Sequence, residues 1–180
     1  MTKKKESIKK VEEKKEPANL LELYVKPHKK VSREVTEADV EKVKALVPII
    51  AKLCNMPHGV HPGAIAISHA QIDDKDPMRF YVTYDGFVVI NPVIANHTKF
   101  LLQMDEGCTS FPNKGNKRVG RYRKIELDFQ TLVGSSEDKD KMTLSMVKHV
   151  DLKKVHAQLA QHEIGHMDGN CIYDPSEYKA

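Results

Sequence analysis

Tryptophan is absent from this chain of 180 residues, cysteine occurs only three times, and aromatic residues make up 6%. An odd number of cysteines, together with a lysine- and glutamate-rich start in place of the apolar run of a secretory signal, argues against a disulfide scaffold made for export. Reduced thiols are then free to bind metal. With 30% of residues charged, no stretch approaches the roughly 20 apolar residues that a membrane helix requires, so no membrane span is expected. At 40% hydrophobic residues the chain can bury one core, and its length suits one domain better than two.

A surplus of one charge sign is also missing from most of the chain. The formal net charge is +4, but the first sixteen residues hold seven lysines and four glutamates, which leaves 22 basic against 21 acidic residues in the remainder (29 less 7, and 25 less 4). A near-neutral body with few aromatics does not suggest a groove for a phosphate backbone, and no sequence-specific nucleic-acid binding is expected. Residues 1–17 read as a charged tail, solvated or weakly helical, and residues 18–180 as a single domain.

Thr36 with Asp39 three residues on is a variant of the capping box. It opens a run in which Val40, Val43, Leu46, Val47, Ile50 and Leu53 recur at helical spacing, with Pro48 as a kink point. Beyond it the period becomes that of strands, over residues 64–67, 79–84, 87–90, 99–103, 121–129 and 142–147. Asp85-Gly86 marks a hairpin between two of them. Helix returns at the end, where Asp151 can cap a stripe of Leu152, Val155 and Leu159. This order predicts an α+β fold: mostly antiparallel sheets packed around a C-terminal helix, with an N-terminal amphipathic helix.

The last helix carries His162-Glu163-Ile164-Gly165-His166. Four residues along a helix advance about 6 Å and overshoot one turn by about 40°, so both imidazoles project from one face and can share a cation. The apolar stripe, extended by the same spacing, lands on both histidines, so they are expected to point inward. Glu163 lies beside them, able to reach a water at the metal without being a ligand. Two satisfied core histidines are the plainer alternative. A catalytic metal usually takes a third protein ligand, for which Cys54, Cys108, Cys171, another histidine or a carboxylate are open. Cys108 follows a predicted strand and a glycine, whereas Cys54 ends a helix and Cys171 falls in a short strand-like segment, both as small core residues.

Glu106-Gly107-Cys108-Thr109-Ser110, His162-Glu163-x-x-His166 with Met167-Asp168-Gly169, and Gln71 at the end of Ala64-Ile65-Ala66-Ile67-Ser68-His69-Ala70-Gln71 resemble, in order and spacing, the three motifs of the peptide deformylase family. The resemblance implies that Cys108, His162 and His166 hold one divalent metal ion per chain, Fe2+ in the cell and Zn2+ or Ni2+ in preparations. It implies that Glu163 is the acid/base, and that the Gln71 amide and the Thr109 backbone N–H receive the formyl oxygen. Ile65, Ala66, Ile67 and Gly107 would line the substrate.

The expected reaction is removal of the N-formyl group from the N-terminal methionine of nascent polypeptides, releasing formate. The expected setting is the cytoplasm, with an origin in a bacterial, organellar or viral genome, and the lysine-rich tail makes the ribosome a candidate partner. A zinc endopeptidase of the H-E-x-x-H class, or a non-catalytic relative that binds metal or formylated chains, are the competing readings. The chain departs from the family pattern at Ala64 and Ala66, where glycines are usual, at Ser68-His69 and Thr109, and at Gly165. Its stretch 112–121 is one residue longer. Oligomeric state is not legible.

Overall fold

The computed structural model describes residues 29–57, 61–135 and 141–174. The predicted tail, the apolar piece at residues 20–25 and most of the polar loop around residues 136–140 lie outside the described residues. Helix α1 spans Val40–Cys54. It is entered through the Thr36 cap, where Asp39 Oδ2 accepts from both the Thr36 backbone N–H (2.9 Å) and its hydroxyl (3.0 Å). The helix runs on through Pro48, which stands on its exposed side. Its stripe of Val43, Ile50, Leu53 and Cys54 packs into one core cluster with Ile67, Phe80, Val82 and Ile90. Cys54 is fully buried there, and loss of hydration pushes its thiol pKa up to about 12.

Seven strands follow: β1 Ala66–Ser68, β2 Phe80–Thr83, β3 Val88–His97, β4 Leu101–Glu106, β5 Lys117–Tyr122, β6 Lys124–Gly134 and β7 Met142–Lys153. One sheet has the order β1-β2-β3-β6-β7 and a second pairs β4 with β5, all antiparallel. The β2–β3 hairpin turns at Asp85-Gly86, where Gly86 has φ +85°, a conformation that costs glycine little. The last helix, α2, spans Val155–Met167. Antiparallel sheets with two α-helices among the described residues agree with the expected class. No helix among them is long and apolar enough to cross a membrane.

Several strands run past their expected ends, β3 to His97, β4 to Glu106 and β7 to Lys153, and two further differences change the architecture. The strand predicted over residues 121–129 is two strands in different sheets: Tyr122 closes β5 against Leu101, and Lys124 opens β6 against Lys153. The alternation of apolar residues changes phase at Arg123-Lys124, between Tyr122 and Ile125, which is the local sign of the change of partner. Asp151 does not cap α2. It pairs with Glu126 inside β7 and its carboxylate meets Lys124 Nζ at 2.9 Å. The helix starts after Lys154, whose φ of 51° turns the chain.

Candidate functional site

Side chains of α2 tie it to the small sheet, Gln158 Nε2 donating to the Asp105 carbonyl of β4 at 3.1 Å and Gln161 bridging to β5. Gln161 Oε1 accepts from the Tyr122 N–H (2.9 Å), and its Nε2 donates to the Tyr122 carbonyl (3.0 Å). Ala157, Ala160, Ile164 and Met167 face a second core cluster that includes Tyr81, Ile125, Leu127 and Phe129. Those positions form the helix's core face, with Leu159 packed against its edge and Val155 outside it. Val155 is 47% exposed, and with Leu159 and His162 it walls a cavity of about 320 Å³. Val155 therefore belongs to the wall of the groove and Leu159 to both the groove and the edge of the core, while His166 does point inward and is buried.

The end of β4 approaches this face of α2. The ligating atoms of Cys108, His162 and His166 all lie within 4.8 Å of one another, and Cys108 Sγ is 3.2 Å from His166 Nε2. Burial alone would raise the Cys108 thiol pKa, but the charge of His166 and hydrogen bonds with both histidines outweigh it and bring it well below that of a free thiol. Burial likewise disfavours a charged His162, and hydrogen bonds with Cys108 and Glu106 overcome it and raise that pKa. Two buried donors and a partly buried one, His162, that stabilise positive charge among themselves suit a soft or borderline divalent cation.

Glu106 orients the set. His162 Nδ1 lies 2.9 Å from Glu106 Oε2, so an Nδ1–H donated to the carboxylate leaves Nε2 as the free donor atom. The same carboxylate accepts two bonds from Arg121, at 2.7 and 2.8 Å. Burial would raise the Glu106 pKa, yet these partners hold it down at about 2. Nothing in the sequence alone gives Glu106 or Arg121 a role. The nearest signal is β4 itself, where alternation through Leu102 and Met104 puts Glu106 on the inward face, and a buried carboxylate needs a partner.

Glu163 is 2% exposed, its pKa is raised by burial, and its Oε2 has no hydrogen-bond partner among the described residues. Gln71 ends a short 3-10 turn, His69–Gln71. Its Oε1 accepts from the Ser68 N–H (2.9 Å) and hydroxyl (3.2 Å), which turns Nε2 toward Ser110 Oγ at 3.0 Å and Thr109 Oγ1 at 3.5 Å. The amide can thus offer a donor to a developing oxyanion. Ile65, Ala66, Gly107, Gln71, Thr109 and Glu163 all border the cavity. Ile67 does not: alternation along β1 sends its side chain into the core under α1, where it is fully buried. Cys54 lies in that same core. Cys171 is buried in a turn after α2 rather than in a strand.

A family model described as polypeptide deformylase matches residues 17–179. A peptide deformylase of Thermus thermophilus is 30% identical over 102 residues, 57% of this chain and 46% of that protein. Peptide deformylase 2 of Geobacillus stearothermophilus is 30% identical over 125 residues, 65% and 61% of the two chains. In both, the match spans about half to three fifths of the relative's length. Among solved structures, peptide deformylase from Thermotoga maritima superposes with a TM-score of 0.62 at 24% identity, covering 80% of this chain and 86% of that one. The enzyme of Vibrio parahaemolyticus bacteriophage VP16T, solved in complex with actinonin, does so with a TM-score of 0.63 at 24% identity, covering 83% and 98%. At that identity the superpositions speak for a common fold.

Proposed function

Because the chain belongs to the polypeptide deformylase family, we propose that it is a metal-dependent hydrolase that removes the formyl group from N-formylmethionyl peptides and releases formate. The observation that carries this reading is the meeting of the Cys108, His162 and His166 donors with the buried Glu163 carboxylate at one end of a peptide-sized groove. Cys108, His162 and His166 would hold one divalent ion, Fe2+ in the cell and Zn2+ or Ni2+ in preparations. When bound, such an ion supplies Lewis acidity and a water acidic enough to react near neutral pH.

The chain's own residues do the rest. Glu163, buried and with a free oxygen, takes a proton from the attacking water and returns it to the departing amine. Negative charge on the former carbonyl oxygen is met by Gln71 Nε2 and the Thr109 backbone N–H, donors that are in place before the reaction begins. Ile65, Val155 and Leu159 offer an apolar wall for the methionine side chain, and Ala66 and Gly107 border the peptide backbone. Ile67 supports that strand from the core side.

In this reading residues 18–180 form a single catalytic domain, residues 1–17 a charged tail, and the sheets pack around the helix that carries H-E-x-x-H. Nascent chains place the work in a cytoplasm or an organellar equivalent. A zinc endopeptidase of the H-E-x-x-H class would draw its third ligand from a histidine or glutamate, whereas the group whose ligating atoms converge here, all within 4.8 Å of one another, takes Cys108 as its third member.

The test is formate release from formyl-Met-Ala-Ser by protein loaded anaerobically with iron and, separately, with zinc. We expect release with at least one metal, loss of release in Glu163→Gln with metal still bound, and no attack on acetyl-Met-Ala-Ser. Equal cleavage of the acetyl peptide, or no formate with either metal, refutes the proposal.

A further inference from the structure

Gly107 separates Glu106 from Cys108, and its bare Cα faces two polar side chains from elsewhere in the chain. A methyl group built on it would stand 2.7 Å from His61 Cε1, 3.0 Å from His61 Nδ1 and 2.9 Å from Asn116 Oδ1. All three residues border the same cavity, on the part of its wall that does not belong to α2. His61 Nε2 is enclosed and, among the described residues, without a hydrogen-bond partner. Buried polar atoms are rarely left so in a finished structure. Asn116 is exposed, and yet its amide is folded over Gly107 beside the imidazole.

The loop that presents Asn116 is pinned from behind. Tyr173, in the turn after α2, donates its hydroxyl to the Gly115 carbonyl at 2.5 Å. Its ring meets that of Phe111 edge-on at 4.7 Å. Lys114 Nζ lies over both rings, 4.8 and 4.6 Å from their centres, so the ammonium draws on two aromatic faces. The loop from Phe111 to Asn116 is thus fixed at its start, its middle and the residue just before Asn116.

Resting on the deformylase reading, we propose that His61 and Asn116 form a polar clamp that binds the substrate backbone at the peptide group joining its first and second residues, and that Tyr173 is the positioning residue that holds Asn116 in the clamp. The placement follows from distance. A formyl group at Cys108, Glu163 and Gln71 puts the next peptide group about one extended residue away, roughly 3.5 Å. Gly107 is one residue from Cys108 and, having no side chain, leaves the clamp in reach of that group. The chemistry also fits: an Asn amide donates and accepts, as a peptide group does, and an imidazole supplies one more donor or acceptor.

The experiment compares formyl-Met-Ala-Ser with formyl-methionine methyl ester, which ends before the second residue's N–H, in the metal-loaded full chain. One neutral hydrogen bond is worth about three- to tenfold in binding. Asn116→Ala and His61→Ala should therefore each lower the ratio of kcat/KM for tripeptide over ester by about that factor. The change should sit in KM rather than kcat, because these contacts exist before the transition state. His61→Gln, which keeps a hydrogen-bonding side chain, should restore much of the ratio. Tyr173→Phe keeps the ring contacts and removes only the bond to Gly115. It should lower the ratio in the same direction in the wild-type background and add nothing in an Asn116→Ala background, since a residue acting through Asn116 has no further effect once that side chain is gone.

Equal losses on both substrates, or additive effects of Tyr173→Phe and Asn116→Ala, overturn the clamp while leaving the deformylase reading intact. Failure of the unmodified protein to release formate from either substrate overturns that reading, and the clamp with it.

Discussion

Glu106→Gln keeps the shape of the side chain and removes its charge, which makes it a sharp test of how the site is supported. In the folded protein the Glu106 side chain is 3% exposed and that of Arg121 is 8% exposed. A glutamine in this position leaves the guanidinium desolvated opposite a neutral amide. Removing one partner of a buried pair costs about 3–5 kcal/mol. Glutamine keeps one acceptor oxygen, so about 3 kcal/mol is the better figure. At about 2–4 °C per kcal/mol for a chain of this length, Tm should fall by about 6–12 °C.

The assay is thermal unfolding followed by circular dichroism at pH 7, with all proteins in the same excess of zinc. Glu106→Gln combined with Arg121→Met should recover most of the loss, because the second change removes the buried charge that Glu106 balanced. Lys124 and Asp151 also meet at 2.9 Å, but their side chains are 44% and 50% exposed. Lys124→Met should leave Tm nearly unchanged, since water already solvates both partners. If Glu106→Gln melts within 1 °C of the wild type, or if the double variant shows the sum of the two single losses, the network is not what holds β4 to the site, and our reasoning fails.

Metal content supplies a second prediction: Cys108→Ala should lose stoichiometric metal while Cys54→Ala and Cys171→Ala keep it, and the reverse pattern would disprove the ligand set. Gly107→Ala should raise KM at least severalfold, because its methyl must displace His61 and Asn116; unchanged steady-state constants would contradict that packing. His69 is buried against Phe80 and accepts from the Met78 N–H, and loss of hydration lowers its pKa to about 4. Unfolded histidine titrates near 6.5, so the unfolded chain takes up this proton first as the pH falls. The stability that neutral His69 contributes is thus full above about pH 6.5 and lost as the pH drops toward 4. Urea unfolding across that window should show the decline in the wild type and a smaller one in His69→Gln.

Where local chemistry decides the structure, the sequence was easy to read. Thr36 and Asp39 cap the 3-10 turn Glu37–Asp39 that leads into the first helix, because the Asp39 carboxylate satisfies the Thr36 N–H at the chain's entry. Asp85-Gly86 turns the chain because only glycine takes that φ without strain. The spacing of His162 and His166 needs nothing beyond helix geometry.

The reading failed where a distant partner outweighs a local preference. Asp151 is a good cap, but the ladder to Glu126 reaches it first. Val155 and Leu159 are apolar at the right interval, but nothing in the interval says whether the surface they face is core or groove. Glu106 and Arg121 sit on adjacent strands and meet only after those strands pair. The clamp at Gly107 joins the β4–β5 connection, which carries both Gly107 and Asn116, to His61 ahead of β1, and no pattern along the chain announces it.

The two ends of the described chain also meet. The Ser32 N–H donates to the Met167 carbonyl at 2.7 Å, Gly169 lies against the Lys29 carbonyl, and Lys29 pairs with Asp174. The residues that close this seam are the ones that follow the second histidine. During synthesis, then, the chain carries its cysteine, its glutamine and nearly all of its sheet out into solution well before either the last donor or the seam exists. Such a protein has no working early fragment. Its site forms only once α2 and the residues that follow it have joined the sheets, and a stop codon placed just before residue 155 would leave all seven strands with nothing to close them.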